Sequence, residues 1–596
     1  MHAPIGARPV APGSVRFEVW APNAERVALR LDGNEIAMEP LDRGYHRATT
    51  EASHGSRYTF LLNGVERPDP ASRWQPDGVH SPSAVVDPAT FAWTDDEWTG
   101  IRMADCIFYE LHIGTFTSEG TFDAAIEHIP YLVELGVTAV EVMPIAQFPG
   151  HRNWGYDGVY PYAVQSTYGG PEGFARLVDA CHAHGLAVCL DVVYNHLGPE
   201  GSYHRDFGPY FTDLYRTPWG EAINFDDAGS DEVRRYFVGN ALQWFRDYHV
   251  DILRLDAIHG IVDRSAYPFL AELNDEVREL ERELRRPLLL VSESDLNDVR
   301  VITGRDDNGY GHDAQWADDF HHSVHSIVTG ETDGYYADFG SHDDLAEALR
   351  KGWIYDGRYS RHRQRRHGNP PDGLPPERFV VCVQNHDQVG NRAEGERLSA
   401  LADHDRLRVA AGLMLLSPFV PLLFMGEEYG ETAPFLYFID HSDPDLLEAV
   451  RTGRREEFSS FGWEGEVPDP ADATTFERSR IDLALRHKEG HRELFDLYRE
   501  LLRLRREHPA LRHGGVKTMV DGDLIWLERS GDGVSVRACF NLSDQARAVP
   551  APAGELLVTS DDTRWGGPGA HEGAASGDDG WTLHPWSFTA WTAPTT

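Results

Sequence analysis

The chain begins with two-residue alternation. Val15-Arg16-Phe17-Glu18-Val19-Trp20 and Val27-Ala28-Leu29-Arg30-Leu31 each place apolar side chains on one face, and clusters of Pro and Gly separate the runs. This predicts a small immunoglobulin-like β-sandwich within residues 1–98, whose last part, the Pro-rich, Trp-bearing stretch from Pro68 to Trp98, reads as an ordered linker. From Cys106 the period changes, and short apolar runs alternate with longer helical segments, as parallel strands with helical crossovers do. Eight strands are predicted: Ile107 to His112, Ala139 to Pro144, Ala187 to Val193, Ile252 to Asp256, Leu288 to Glu293, Ala314 to Trp316, Phe379 to Gln384 and Val420 to Phe424. Eight such units predict an α/β fold, a closed (β/α)8 TIM barrel over residues 99–512.

The intervening helices carry start and stop signals. Pro171 suits a first turn, Phe174, Leu177, Val178 and Cys181 form one apolar stripe, and Gly185 suits the end. The helix after strand six is expected to begin at Ser341, with Asp344 three residues on in a shortened capping box. In the last helix, Glu493 to Glu507, Leu494, Leu497, Leu501 and Leu504 share a face, and Pro509 stops it. Strand-like runs after Thr518, among them Leu524 to Glu528 and Val534 to Asn541, predict an all-β C-terminal domain over residues 513–596.

Composition narrows the possible partners. A formal charge of −41 repels phosphate backbones and anionic headgroups, which argues against nucleic acid and membrane surfaces. The five cysteines are scattered in apolar runs without CxxC spacing and read as buried free thiols. Neither a basic start followed by an apolar run nor a stretch of about 20 apolar residues occurs, so a cytoplasmic protein is expected.

Barrels collect reactive groups at the C-terminal ends of their strands, and here those ends are dominated by acids. Strand three ends Asp191-Val-Val-Tyr-Asn195-His196, strand four Arg254-Leu-Asp256-Ala-Ile-His259, strand five Ser292-Glu293-Ser294-Asp295 and strand seven Gln384-Asn385-His386-Asp387. Arg254 and Asp256 are two apart and project to the same side, where a guanidinium favours the charged acid that a nucleophile requires. A second carboxyl, partly desolvated and close to like charges, would hold its proton and suit a general acid. Two acids in opposed environments are what retaining glycoside cleavage uses.

These four strand ends, in this order, resemble the signature stretches of the α-amylase superfamily of retaining glycoside hydrolases across roughly residues 105 to 510. The resemblance implies that Asp256 is the nucleophile, Glu293 the acid and base, and Asp387 the carboxylate that grips sugar hydroxyls. It implies that Arg254 orients Asp256, that His196 and His386 bond hydroxyls of the same glucose, and that Tyr156, in Asn153-Trp-Gly-Tyr-Asp-Gly158, stacks on its ring, with Asp157 in the same shell. The N-terminal sandwich is similar to a carbohydrate-binding module. Many relatives hold calcium at the asparagine corresponding to Asn195, but the insertion after strand three looks short here, so no metal and no cofactor are expected. Within the superfamily, Met425-Gly-Glu-Glu-Tyr-Gly430, Pro434 to Phe438, Asp440-His441, Gly453-Arg454 and the Tyr- and Arg-rich loop from Tyr355 to Gly368 resemble the maltooligosyltrehalose trehalohydrolases. That implies a maltooligosaccharide chain capped with trehalose as substrate.

Plainer readings stand beside these. Asp191 reads as a brace for the Asn195-His196 turn, His259 as a sugar contact or a packing residue, and Tyr156 as a stacking platform or a core aromatic. Glu427 and Glu428, after strand eight, either bind sugar or solvate the rim. Two functional alternatives remain: a glycogen branching enzyme with the same catalytic groups, or a non-catalytic glucan-binding barrel, against which the intact acids argue.

Overall fold

The structure is a computed structural model that describes residues 5–460, 467–512, 514–550, 554–569 and 580–593. Eight parallel strands close into a barrel. They are β1 (Phe108–Leu111), β2 (Ala139–Val142), β3 (Ala187–Val192), β4 (Ile252–Leu255), β5 (Leu289–Ser292), β6 (Ala314–Trp316), β7 (Phe379–Cys382) and β8 (Val420–Phe424), with β8 pairing back onto β1. All eight lie where the apolar runs predict. Most stop one or two residues short of the run, because the polar residue that ends it has already left the ladder for the rim.

The barrel interior mixes small and large side chains. Ala139, Ala187 and Ala314 leave room for Trp316, Phe108 and the thiols Cys106, Cys189 and Cys382. All five cysteines are free and buried. One helical expectation needs correcting. The helix capped by Ser341, which accepts from the Asp344 amide at 3.1 Å, is the second after β6, since Asp318–Thr329 comes first. The Asp344 carboxylate meets the Ser341 hydroxyl at 2.5 Å, so it does not close a capping box.

N-terminal to the barrel, two antiparallel sheets face one another, with Phe17, Tyr58, Leu29 and Phe60 between them. The Pro-rich stretch lies on the barrel's N-terminal end, pinned by Asp251. That buried carboxylate accepts from Trp98 Nε1 (2.8 Å), Arg286 Nη1 (2.8 Å) and the Val188 amide (2.9 Å), and His182 Nε2 lies 2.9 Å away. C-terminally, a five-stranded sheet with a separate strand pair packs on the barrel, and Phe588 lies so close to Gly412 that a Cβ there would sit 2.7 Å from its ring.

Candidate active site

Arg254 lies inside the barrel, fully buried, with carboxylates from three strands around it. Its Nη1 donates to Asp191 Oδ2 from β3 and to Asp256 Oδ1 at the end of β4, both at 2.8 Å. Its Nη2 lies 3.6 Å from Glu293 Oε2 at the end of β5. The Trp316 ring from β6 supports the guanidinium from 4.2 Å, a cation–π contact that helps an arginine survive without water.

Asp256 is held from two directions. Besides Arg254, the Asn195 amide donates to both its carbonyl (2.9 Å) and its Oδ2 (2.8 Å), so each carboxylate oxygen has a donor. The next residue, Ala257, has φ +38°, a conformation that costs a non-glycine residue about 1–3 kcal/mol. That turn aims the Ala257 amide at Glu293 Oε2, 2.5 Å away. Glu293 has a different environment. Burial pushes its carboxyl well above the ordinary range, Asp256, Asp318 and Asp387 add to the effect, and Arg254 opposes it. With Oε2 accepting from a backbone amide, Oε1 is left to carry the proton.

On the opposite side, His386 starts the short helix that follows β7, and Glu110 of β1 clamps it through its backbone amide (2.9 Å) and its Nδ1 (2.5 Å). Burial alone would push the ring down, but Asp387 and Glu110 hold it up to about 9, so it carries a proton at neutral pH. The protonated Nε2 donates to the Tyr156 hydroxyl at 2.7 Å, and that hydroxyl donates to Asp191 Oδ2 at 2.7 Å. Asp387 Oδ1 lies 3.5 Å from His386 Nε2 and remains more than a third exposed, open to a ligand. A continuous polar path thus runs from Glu110 through His386, Tyr156 and Asp191 to Arg254 and Asp256.

The structure brings Arg254, Asp256, Glu293, Tyr156, His386 and Asp387 into one cluster. His196 joins through the Tyr156 carbonyl (2.9 Å) and Asn195, while Asp157 accepts from Asn153 (2.6 Å) and lies 3.7 Å from His441. His259 stays exposed, outside this network, beside the Trp219 ring at 6.1 Å. Two plainer readings change. Asp191 braces Arg254 and Tyr156, not the Asn195-His196 turn. Glu427 and Glu428 are buried, accepting from Tyr498 (2.9 Å) and Tyr109 (3.2 Å), so they neither bind sugar nor solvate the rim.

Four groups escape a reading of strand ends. Glu110 and Glu141 lie within apolar strands, where a charge is itself a signal, although the partner is not legible. Asp318 opens the helix after β6, and burial, then Asp387 and Asp295, push it up to about 7. Trp219, 43 % exposed, sits at the turn of a hairpin (Phe211–Thr217 and Gly220–Ile223) in the segment after β3 that the sequence makes look short. Its ring lies parallel to His196 at 5.3 Å.

The chain is similar to known proteins over most of its length. Residues 85–216 match the alpha amylase catalytic domain family, and residues 4–77 match carbohydrate-binding module 48, the isoamylase N-terminal domain. The malto-oligosyltrehalose trehalohydrolase of Saccharolobus solfataricus is 47% identical over 532 residues, covering 89% of this chain and 91% of that one. That of Arthrobacter ramosus is 50% identical over 504 residues, covering 83% and 88%. A crystal structure described as a putative alpha amylase from Salmonella typhimurium superposes with a TM-score of 0.90 at 40% identity, covering 100% of both chains.

Proposed function

The chain belongs to the malto-oligosyltrehalose trehalohydrolase family of α-amylase-type glycoside hydrolases, and from that premise we propose that Asp256 is its nucleophile, Glu293 its acid and base, and Asp387 its grip on the sugar. It is a glycoside hydrolase that acts on the α-1,4 bond beside the terminal trehalose of a maltooligosaccharide chain. The observation that carries the residue assignment is the sharing of one buried guanidinium by two acids in opposed settings. Asp256 has donors on both oxygens and is suited to attack as an anion, whereas Glu293 is desolvated and suited to donate a proton.

In the first step an Asp256 oxygen bonds to the anomeric carbon while the bond from that carbon to the trehalose O4 breaks, and Glu293 gives its proton to the departing oxygen. Trehalose leaves, and a glucosyl ester of inverted configuration remains on Asp256. In the second step Glu293 takes a proton from water, the hydroxide oxygen bonds to the anomeric carbon, and the ester to Asp256 breaks. Two inversions restore the α configuration. The Asp387 carboxylate, more than a third exposed, is placed to bond ring hydroxyls, with the buried His386, locked by Glu110, holding Tyr156 behind it, while Tyr156 and Trp219 supply aromatic faces.

The division at residues 98/99 and 512/513 into sandwich, barrel and C-terminal domain belongs to the same proposal. So does a cytoplasmic location, which five buried, unpaired thiols support. No helix among the described residues is long and apolar enough to cross a membrane. Substrate choice is tested by incubation with a trehalose-capped maltooligosaccharide and, separately, with amylose. Free trehalose from the first and little product from the second are expected. A shift in iodine colour on amylose without new reducing ends would instead mark a branching transferase.

A further inference from the structure

Asp318 stands among the catalytic carboxylates without a part in the reaction outlined above. It opens the helix Asp318–Thr329, two residues after Trp316, whose ring supports Arg254 from 4.2 Å and lies 6.1 Å from His386. Because β6 pairs with β5 on one side and β7 on the other, it delivers Asp318 to the gap between Glu293, at the end of β5, and Asp387, after β7. The electrostatics agree with this placement. Beyond burial, the Asp318 charge helps to raise the Glu293 carboxyl, while burial first, and then Asp387 and Asp295, push the Asp318 carboxyl itself up to about 7 against the pull of Arg254.

An acid in the first turn of a helix commonly serves the helix itself, as a cap or as a complement to its dipole. Here Asp319 fills the structural role: buried, it accepts from the Asn297 side chain (3.0 Å) and from the amides of Ile354 (2.7 Å) and Tyr355 (2.8 Å), tying the segments after β5 and before β7 to the helix. Asp318 does none of this. Among the described residues its carboxyl makes no hydrogen bond and no ion pair, and neither of its oxygens is sealed from solvent, in contrast to Asp191 Oδ1 nearby. A partly buried carboxyl crowded by like charges and bonded to nothing is unfavourable until a ligand meets it. No group of three or more His, Cys, Asp or Glu among the described residues is placed to hold a metal ion, which leaves a neutral donor as that ligand. A carboxylate accepts, and every glucose unit carries hydroxyls that donate.

We propose that Asp318 is a further substrate-binding residue, whose carboxylate accepts a hydroxyl from a glucose unit flanking the cleaved bond, between the acid Glu293 and the grip Asp387. This deepens the function proposed above and rests on it. The same carboxylate, standing beside Glu293, also helps that acid to keep its proton until the bond breaks.

The test compares the parent with Asp318→Ala and Asp318→Asn in steady-state assays on a trehalose-capped maltooligosaccharide, and titrates the same chain by calorimetry into the full-length Glu293→Gln protein with and without Asp318→Ala. Loss of a hydrogen bond to a charged group should lower kcat/KM at least tenfold in Asp318→Ala and weaken binding to the inactive protein by a similar factor. Asp318→Asn keeps the shape, so it stands in should the alanine variant fail to fold, and it removes the charge. In it the alkaline limb of kcat/KM, set by the Glu293 proton, should move to lower pH by about half a unit or more, a shift that a residue serving only to start a helix would not produce. Parent-like kcat/KM and binding, within twofold, in Asp318→Ala overturn the proposal, and so does an alkaline limb that stays in place in Asp318→Asn. A parent that releases no trehalose would instead sink the catalytic reading, and the calorimetric comparison alone then decides whether Asp318 touches the chain.

Discussion

His386 is neutral or charged according to what its neighbours supply, and Glu110 is the neighbour fixed most firmly. Because the folded ring is held up to about 9 against an ordinary value near 6.5, its contribution to stability is fully present below pH 6.5 and is lost as pH rises through 9. The shift corresponds to about 3 kcal/mol. Glu110→Gln removes only part of that, since Asp387 supplies the rest, and should therefore destabilise the protein by part of that amount at pH 6 and much less at pH 10, as read by urea unfolding at both pH values. For Glu293 the sign concerns activity. Its carboxyl must keep a proton to act as acid, so kcat/KM should fall as pH rises through its elevated value, and Glu293→Gln should lose about 10²–10⁴-fold in activity together with that alkaline limb. Asp256 and Glu293 are legible in the sequence because each ends an apolar strand. Glu110 is not, since a charge inside β1 has no visible partner until residue 386 folds against it.

Strand ends are also where the elements are most legible, as a short apolar run that ends in polar residues marks β3, β4, β5 and β7 directly. Loop geometry is less accessible. Gly155 has φ +108°, and a Cβ there would fall 2.1 Å from the Pro144 carbonyl oxygen, so this turn, which presents Tyr156 to the pocket, demands glycine. Gly155→Ala should displace Tyr156 and lower kcat/KM at least tenfold, while stability falls by about 1–3 kcal/mol. The hairpin carrying Trp219 escapes the sequence for another reason: its strands are paired only to each other and interrupted by polar residues. Trp219→Ala should remove a ring face worth about 1 kcal/mol, raising KM several-fold with kcat little changed in steady-state assays.

At the scale of the whole molecule, the order of sandwich, barrel and β-domain can be read from changes in period, whereas the contacts that join them cannot. Arg8 and Asp247 are 239 residues apart, and no local pattern announces their pairing. Asp251 makes the same point at the barrel's N-terminal end, gathering Trp98, His182 and Arg286 from three separate segments. Replacing it with alanine would leave a buried guanidinium uncompensated and should cost about 3–5 kcal/mol, measurable by denaturant unfolding, with the catalytic carboxylates unchanged.

The central claim is that Asp256 becomes covalently glycosylated while Glu293 handles the protons. A 5-fluoro maltooligosyl fluoride, which slows breakdown of the ester, followed by proteolysis and mass spectrometry, reads this out on the protein itself. The label is predicted on the peptide containing Asp256, at that residue, and should be absent from Asp256→Ala. A label on Glu293 or Asp387, or active enzyme that turns the reagent over with inverted configuration and no covalent adduct, would contradict the account.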